Sequence, residues 1–424
     1  MRIALVGGRV FDGTAETKPG EACVLIEDDT ILDVVASRND IGDAVEIDVT
    51  GSTVMPGLID THIHFAMWGM DLIGHQASSL AYLCSETVYN MNYVLRGGCT
   101  TARDLGGLDA GFRDAVRDGL VPGPEIQTSI TFLTPTSSVL DRTTRHGIKS
   151  PPFPGTPYPV CDGPDEVRQR VRECARAGAD VIKIGTTGAV SSAKCPPWKA
   201  AFNRAETEAA VDEAHALELP IACHAVSGPG VAVAIEAGVD TLEHGAELTP
   251  RLADMLAEKQ IWYIPTLAAY RLHAENGPDW KKARARDVEA LHCKSVAMAL
   301  KAGAPIAMGS DAGGYGLDFA LELERLVEAG LTPTQALVAG TGDAARCIGV
   351  AERKGTLRKG MQSDVLVVDG DPFADVGIMR QRDKLAMVMK AGKAVCGRLA
   401  GAVNEASGSA EQRDGDLGRR FFSA

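Results

Sequence analysis

From about residue 56 to residue 350 the chain alternates between short apolar runs and longer stretches of helical texture. "CTTARDL" precedes "AGFRDAVRDG", and "DVIKIGTTG" precedes "NRAETEAAVDEAHALE". "PIACHAVSG" precedes "GVAVAIEAG", and "VDTLEHGAEL" precedes "TPRLADMLAEKQ"; "IWYIPTLAAY" and "PIAMGSDAGG" follow. Strands separated by helices pair in parallel, because the crossover consumes the intervening residues. At least seven such units are legible, which predicts an α/β fold with an eight-stranded (β/α)8 TIM-type barrel.

The two ends have a different texture. Residues 1–55 are strand-like segments broken by Gly and Asp turns, and residues 351–424 read the same way until a loose polar tail, "NEASGSAEQRDGDLGRRFFSA". Alternation bounded by turn residues predicts strands. The economical arrangement is one small β-sandwich domain built from both termini, with the barrel of residues 56–350 inserted. Within the barrel, residues 132–164 are rich in Pro, Ser and Thr, and a loop that long is functional or disordered; residues 190–203 form a shorter excursion.

Composition bounds the partners. The 424 residues carry a net charge of −13, which argues against nucleic acid or an anionic membrane surface. No apolar run approaches a membrane span, and the first residues read as a strand and a turn rather than a signal peptide. The ten cysteines are scattered and none forms C-x-x-C, so reduced thiols in a cytoplasmic protein are expected.

The polar residues then concentrate where a barrel carries chemistry. "MPGLIDTHIHF" places His62 and His64 two apart at the end of an apolar run. Residues i and i+2 of a strand share a face, so an extended Val54–His64 segment aims both imidazoles at one point. Lys183 ends "DVIKIG", His224 ends "PIACH", His244 ends "VDTLEH" and Asp311 ends "PIAMGSD". Each has a bland alternative: surface histidines, a snorkelling lysine, a satisfied core histidine, a helix-capping aspartate. Six metal-compatible residues at successive strand ends, on the face where barrels build active sites, point jointly to a metal centre. Arg103 and Asp104 also end a strand and read as members of a buried ion pair. His75, His215, His273 and His292 read as solvated or structural.

"PGLIDTHIH", "VIKI", "ACHAV", "LEHG" and "MGSDA", flanked by the split β domain, resemble the amidohydrolase superfamily across essentially the whole chain. "RDLGG" and "GADVIKI" make it most similar to the Xaa-Pro dipeptidase, ochratoxinase and imidazolonepropionase-like branch. The resemblance implies two divalent ions, most often zinc. His62, His64 and Asp311 would hold the more buried ion, His224 and His244 the more exposed one, and an N6-carboxylated Lys183 would bridge them. It also implies a homo-oligomer and hydrolysis of a small-molecule amide by a metal-activated hydroxide. Asp311 would act as proton shuttle, with His244 beside it as the second catalytic residue.

The pattern breaks in two places. Peptidase-like relatives carry a Gly-Gly-His element after the third strand, where this chain reads "LTPTSSVLDRTTRHG". They also often have Tyr two residues after the fifth-strand His, where this chain has Val226. Ser137, His146, Val226 and Tyr270 are therefore the candidate substrate contacts. The expected substrate is an N-acyl amino acid, dipeptide or aryl amide; the alternatives are a carbamate or urea, a cyclic amide of imidazolone type, and a non-catalytic binding protein on the same scaffold.

Overall fold

The computed structural model describes residues 2–16, 19–67, 78–149, 156–313 and 316–406. His75, part of the 132–164 loop and the polar tail beyond residue 406 lie outside the described residues.

The chain is mixed α/β. Leu58–Ile63, Cys99–Asp104 and Glu125–Thr128 form one parallel sheet, with Ile59 opposite Thr101 and Thr101 opposite Glu125. Phe132–Leu133, Ile182–Gly185, Ile221–Ala225, Thr241–His244 and Trp262–Ile264 form a second parallel sheet in sequence order. Its register sets Phe132 beside Lys183, Gly185 beside His224 and Ala225 beside His244. Residues 306–312 join it through a parallel bridge from Ile306 to Tyr263, and return to the first sheet through a parallel bridge from Ala312 to Ile63. The core strands are buried throughout, as expected where helices cover a parallel sheet.

The helices fall between these strands because the local signals agree. Arg204–Ala216 opens on a reciprocal capping box of Asn203 and Glu206. Pro250–Lys259 opens on Thr249, whose hydroxyl accepts the Leu252 N–H, with Pro at the first turn. Two further helices, Leu80–Arg96 and the 24-residue Asp279–Ala302, are not marked in the sequence by a strand–helix couplet. No helix among the described residues is long and apolar enough to cross a membrane.

Both chain ends meet in one sheet. Val365–Asp369 pairs antiparallel with Ser52–Pro56, and the sheet continues to Leu385–Lys390 and Lys393–Cys396 on one side and Arg9–Val10 on the other. A four-stranded sheet of residues 2–48 shares a core with it, in which Ile3, Leu5 and Val24 meet Val54, Val365 and Met387. The extended segment expected from Val54 to His64 is two strands. Ser52–Pro56 belongs to the terminal sheet and Leu58–Ile63 to the parallel one, and the chain crosses between them at Gly57. A Cβ on Gly57 would stand 2.2 Å from Thr100 Oγ1, so only glycine permits this crossing.

Candidate metal centre

All six strand-end residues line one cavity of about 400 Å³. His62 and His64 come from the end of the first parallel strand, Lys183 from Ile182–Gly185, His224 from Ile221–Ala225 and His244 from Thr241–His244. Asp311 is drawn in by its own backbone, whose N–H donates to the His62 carbonyl at 2.7 Å. Two residues upstream, Gly309 lets the segment lie against His62; a Cβ there would come within 2.8 Å of the His62 Cβ.

One donor cluster is tight. The ligand atoms of His62, His64 and Asp311 lie within 4.8 Å of one another. Asp311 Oδ1 is 3.1 Å from His64 Nε2 and 3.5 Å from His62 Nε2. His224 and His244 form an adjacent pair with ring centroids 4.4 Å apart, and His244 is 5.3 Å from His62. Lys183 is 1% exposed, and its Nζ has no hydrogen-bond partner among the described residues. An orphaned buried amine facing four imidazoles and a carboxylate is costly unless a further group completes the site.

The hydrogen bonds behind the imidazoles set their tautomers. His64 Nδ1 faces the Gly106 carbonyl at 3.1 Å, and His224 Nε2 faces the Gly188 carbonyl at 2.9 Å. A carbonyl only accepts, so those nitrogens carry the proton. His62 Nδ1 donates to Glu243 Oε2 at 2.7 Å. His244 Nδ1 faces Thr266 Oγ1 at 2.7 Å; that hydroxyl donates to the Pro265 carbonyl at 2.6 Å, so it accepts from His244. In its neutral form every ring therefore has a lone pair to offer on its other nitrogen. Imidazoles that donate one N–H to protein and present the second nitrogen are arranged as metal ligands.

Electrostatics agree. Burial lowers the His62 imidazole to about 4 and His224 to about 3, and holds His244 well below its ordinary value, so these rings are neutral. Burial also disfavours charge on His64, but Asp311 beside it outweighs this and raises it. Burial lowers Lys183 to about 8. Burial opposes ionisation of Asp311, yet the hydrogen bond with His64 and the two imidazoles beside it prevail and hold it far below the carboxylate range. His244 (φ 74°), Thr266 (φ 57°) and Asp311 (φ 51°) sit in the left-handed region, where non-glycine residues are strained; such strain clusters at functional sites. The donor set fits divalent metal: imidazole nitrogen and carboxylate oxygen, with an amine able to become an oxygen ligand.

Arg103 is in a buried ion pair, but its partner is Glu243, at 3.2 Å, rather than its neighbour Asp104. Adjacent strand residues face opposite sides, and Asp104 instead accepts the Phe65 and Gly106 N–H groups. Glu243 was invisible as a site residue because its role depends on contacts 181 and 140 positions away.

The substrate candidates scatter. Tyr270 lines the cavity, with its ring 5.9 Å from His244. Val226 is buried among Val190, Ala246 and Tyr270 behind the wall. Ser137 is exposed and only its neighbours, from Ser138 to Arg142, reach the cavity; His146 is exposed and does not line it. His215 pairs with Asp240 at 3.0 Å, and His292 is buried against the His244 carbonyl at 2.6 Å. His273, expected to be solvated or structural, lines the cavity.

Comparison with known proteins gives this geometry a lineage. The model of the Amidohydrolase family matches residues 53–395. The chain is 32% identical to Ochratoxinase from Aspergillus niger, over 92% of this chain and 85% of that protein. The crystal structure of A. niger ochratoxinase superposes with a TM-score of 0.83 at 28% identity, covering 94% of this chain and 96% of that one. A Xaa-Pro dipeptidase with bound methionine in the active site superposes with a TM-score of 0.83 at 26% identity, covering 93% and 99%. The chain belongs to the amidohydrolase family and is a metal-dependent hydrolase of carbon–nitrogen bonds.

Proposed function

We propose that the chain hydrolyses the amide bond of an N-acyl amino acid, dipeptide or related aryl amide at a two-metal centre, zinc in the first instance. His62, His64 and Asp311 would hold one ion and His224 and His244 the other, with Lys183, carboxylated on Nζ, as a further oxygen ligand. The observation that carries this reading is the set of four imidazoles, each tied by one N–H to the protein and each keeping a lone pair. The bound methionine of the dipeptidase structure supports a substrate that ends in an amino acid.

The two parallel sheets, joined through residues 306–312 by bridges to Tyr263 and Ile63, support a closed (β/α)8 barrel. The shared core of the two remaining sheets supports a β-sandwich domain built from both termini. The domain boundary falls at the Gly57 crossing and again near residue 350. Ten free cysteines support a cytoplasmic setting.

Bound divalent ions supply Lewis acidity, which brings water towards hydroxide at neutral pH and polarises the substrate carbonyl. The chain's own residues do the rest. Burial lowers Nζ to about 8, which makes neutral amine available near pH 7, and that amine adds to carbon dioxide, forming a carbamate and releasing a proton. Asp311 turns Oδ1 towards the two imidazoles, and its Oδ2 takes the nucleophile's proton and returns it to the leaving nitrogen. His62 and His64 orient that carboxylate, and Tyr270 packs the ring of His244.

The test is amine release by protein loaded with zinc and bicarbonate, over N-acyl amino acids, dipeptides, aryl carbamates, phenylureas and cyclic imides, with metal content measured alongside. Two equivalents of zinc and turnover of amides are expected, with Asp311→Asn lowering kcat by about 10³. One equivalent, or turnover confined to carbamates, ureas or rings, overturns the reading.

A further inference from the structure

Two loops outside the metal centre build part of the cavity wall, residues 138–142 and 189–194. They are fastened to each other and to the scaffold. Lys194 Nζ donates to the Thr143 carbonyl at 3.5 Å. Arg284 donates to the Ser192 carbonyl at 2.7 Å and to the Val190 carbonyl at 3.3 Å, with its guanidinium against Trp280 and Trp198 at 4.7 and 5.4 Å.

The chemistry of this wall is uneven. Val139, Leu140 and Val190 make it apolar. Asp141 is turned back on its own loop, where it accepts the Ser137 N–H at 2.7 Å and the Thr143 N–H at 3.0 Å. Arg142, half-buried, and Lys194, exposed, add two cations to the lining of a cavity in a chain of net charge −13. Val226 presents no polar group from behind the same wall. A partly buried guanidinium binds a planar anion through two parallel hydrogen bonds, and low-dielectric walls strengthen the attraction.

We propose that Arg142 is the specificity-determining residue for a free carboxylate on the substrate, with Lys194 assisting from the rim and Val139, Leu140 and Val190 receiving an apolar side chain beside it. The proposal rests on the amide-hydrolase reading of this same cavity.

Two measurements on the metal-loaded protein test it. The first compares kcat/KM for an N-acyl-L-phenylalanine and its carboxamide. Wild type should prefer the carboxylate by about a hundredfold. Arg142→Gln should collapse that preference to within a few-fold through KM, Arg142→Lys should keep part of it, and Lys194→Gln should cause a smaller, salt-sensitive loss. The second is calorimetric binding of N-tosyl-L-phenylalanine, whose sulfonamide is not an amide, against its carboxamide. This reading survives failure of the catalytic one: if neither amide turns over, the amide-hydrolase reading falls, and binding alone decides the subsite. Equal binding of carboxylate and carboxamide by wild type, or tosyl-phenylalanine binding unchanged by Arg142→Gln, overturns the proposal.

Discussion

Glu243 Oε2 accepts the Nδ1 proton of His62 at 2.7 Å, while Oε1 of the same carboxylate is held by Arg103 at 3.2 Å and by the Thr241 hydroxyl. Glu243 is fully buried, as are His62 and Arg103. Arg103 also donates Nε–H to the Thr61 carbonyl at 2.7 Å, one residue before His62. The pair thus fixes both the ring and the strand end that carries it. Burial opposes charge on Glu243, but Lys183 and His62 outweigh it and keep the carboxyl ionised.

Glu243→Gln removes the counter-charge of a buried guanidinium and weakens the acceptor behind His62. Breaking one partner of a buried pair costs about 3–5 kcal/mol, and losing the group behind a ligating imidazole costs about 10–100-fold in metal affinity. Urea unfolding of the variant should show the first loss and a zinc titration against a competing chelator the second. Unchanged affinity would reduce Glu243 to a structural residue.

Thr266→Val keeps the branched shape but removes the acceptor of the His244 Nδ1 proton. Folding should change by about 1 kcal/mol, since the lost bond is a single neutral one. The weaker zinc equivalent should loosen by about tenfold or more. If the variant held both equivalents as wild type does, the tautomer of His244 would be set elsewhere.

Lys183→Ala should lower turnover by at least about 10³ and reduce zinc below two equivalents. Small carboxylic acids such as acetate should restore part of both, because the deleted stem leaves room for a free carboxylate in place of the carbamate. Intact wild-type protein should carry one added carbon dioxide by native mass spectrometry. A lysine of unmodified mass in fully active protein would sink the bridging role.

Chelation by a strong competitor should abolish activity. Zinc with bicarbonate should return more of it than zinc alone, because the proposed carbamate on Lys183 would have to be rebuilt from carbon dioxide. Equal recovery without any carbon dioxide source would show that the amine itself suffices.

The six strand-end residues that line the cavity were legible because the signal is local. His62 and His64 share a face through the period of two of a strand, and Lys183, His224, His244 and Asp311 mark strand ends that apolar runs and turns delimit without reference to anything distant. The alternation that separates parallel strands from the terminal β segments is local in the same way. Even so, one apparent strand through Gly57 proved to be two, because nothing in "TVMPGLID" states which sheet each half joins.

The groups behind and around the ligands were not legible. Arg103 was paired in expectation with its neighbour Asp104, and packing gives it Glu243 instead, 140 positions away. Thr266, Gly106 and Gly188 hold imidazoles through contacts across loops and strands that no periodicity encodes. The cavity wall shows the same limit: Ser137 and His146 were singled out, but among residues 137–146 it is Ser138 to Arg142 that line the cavity. Periodicity determines which face of an element a side chain occupies; which distant side chain meets it there depends on how the elements pack, and that is decided only by the tertiary fold.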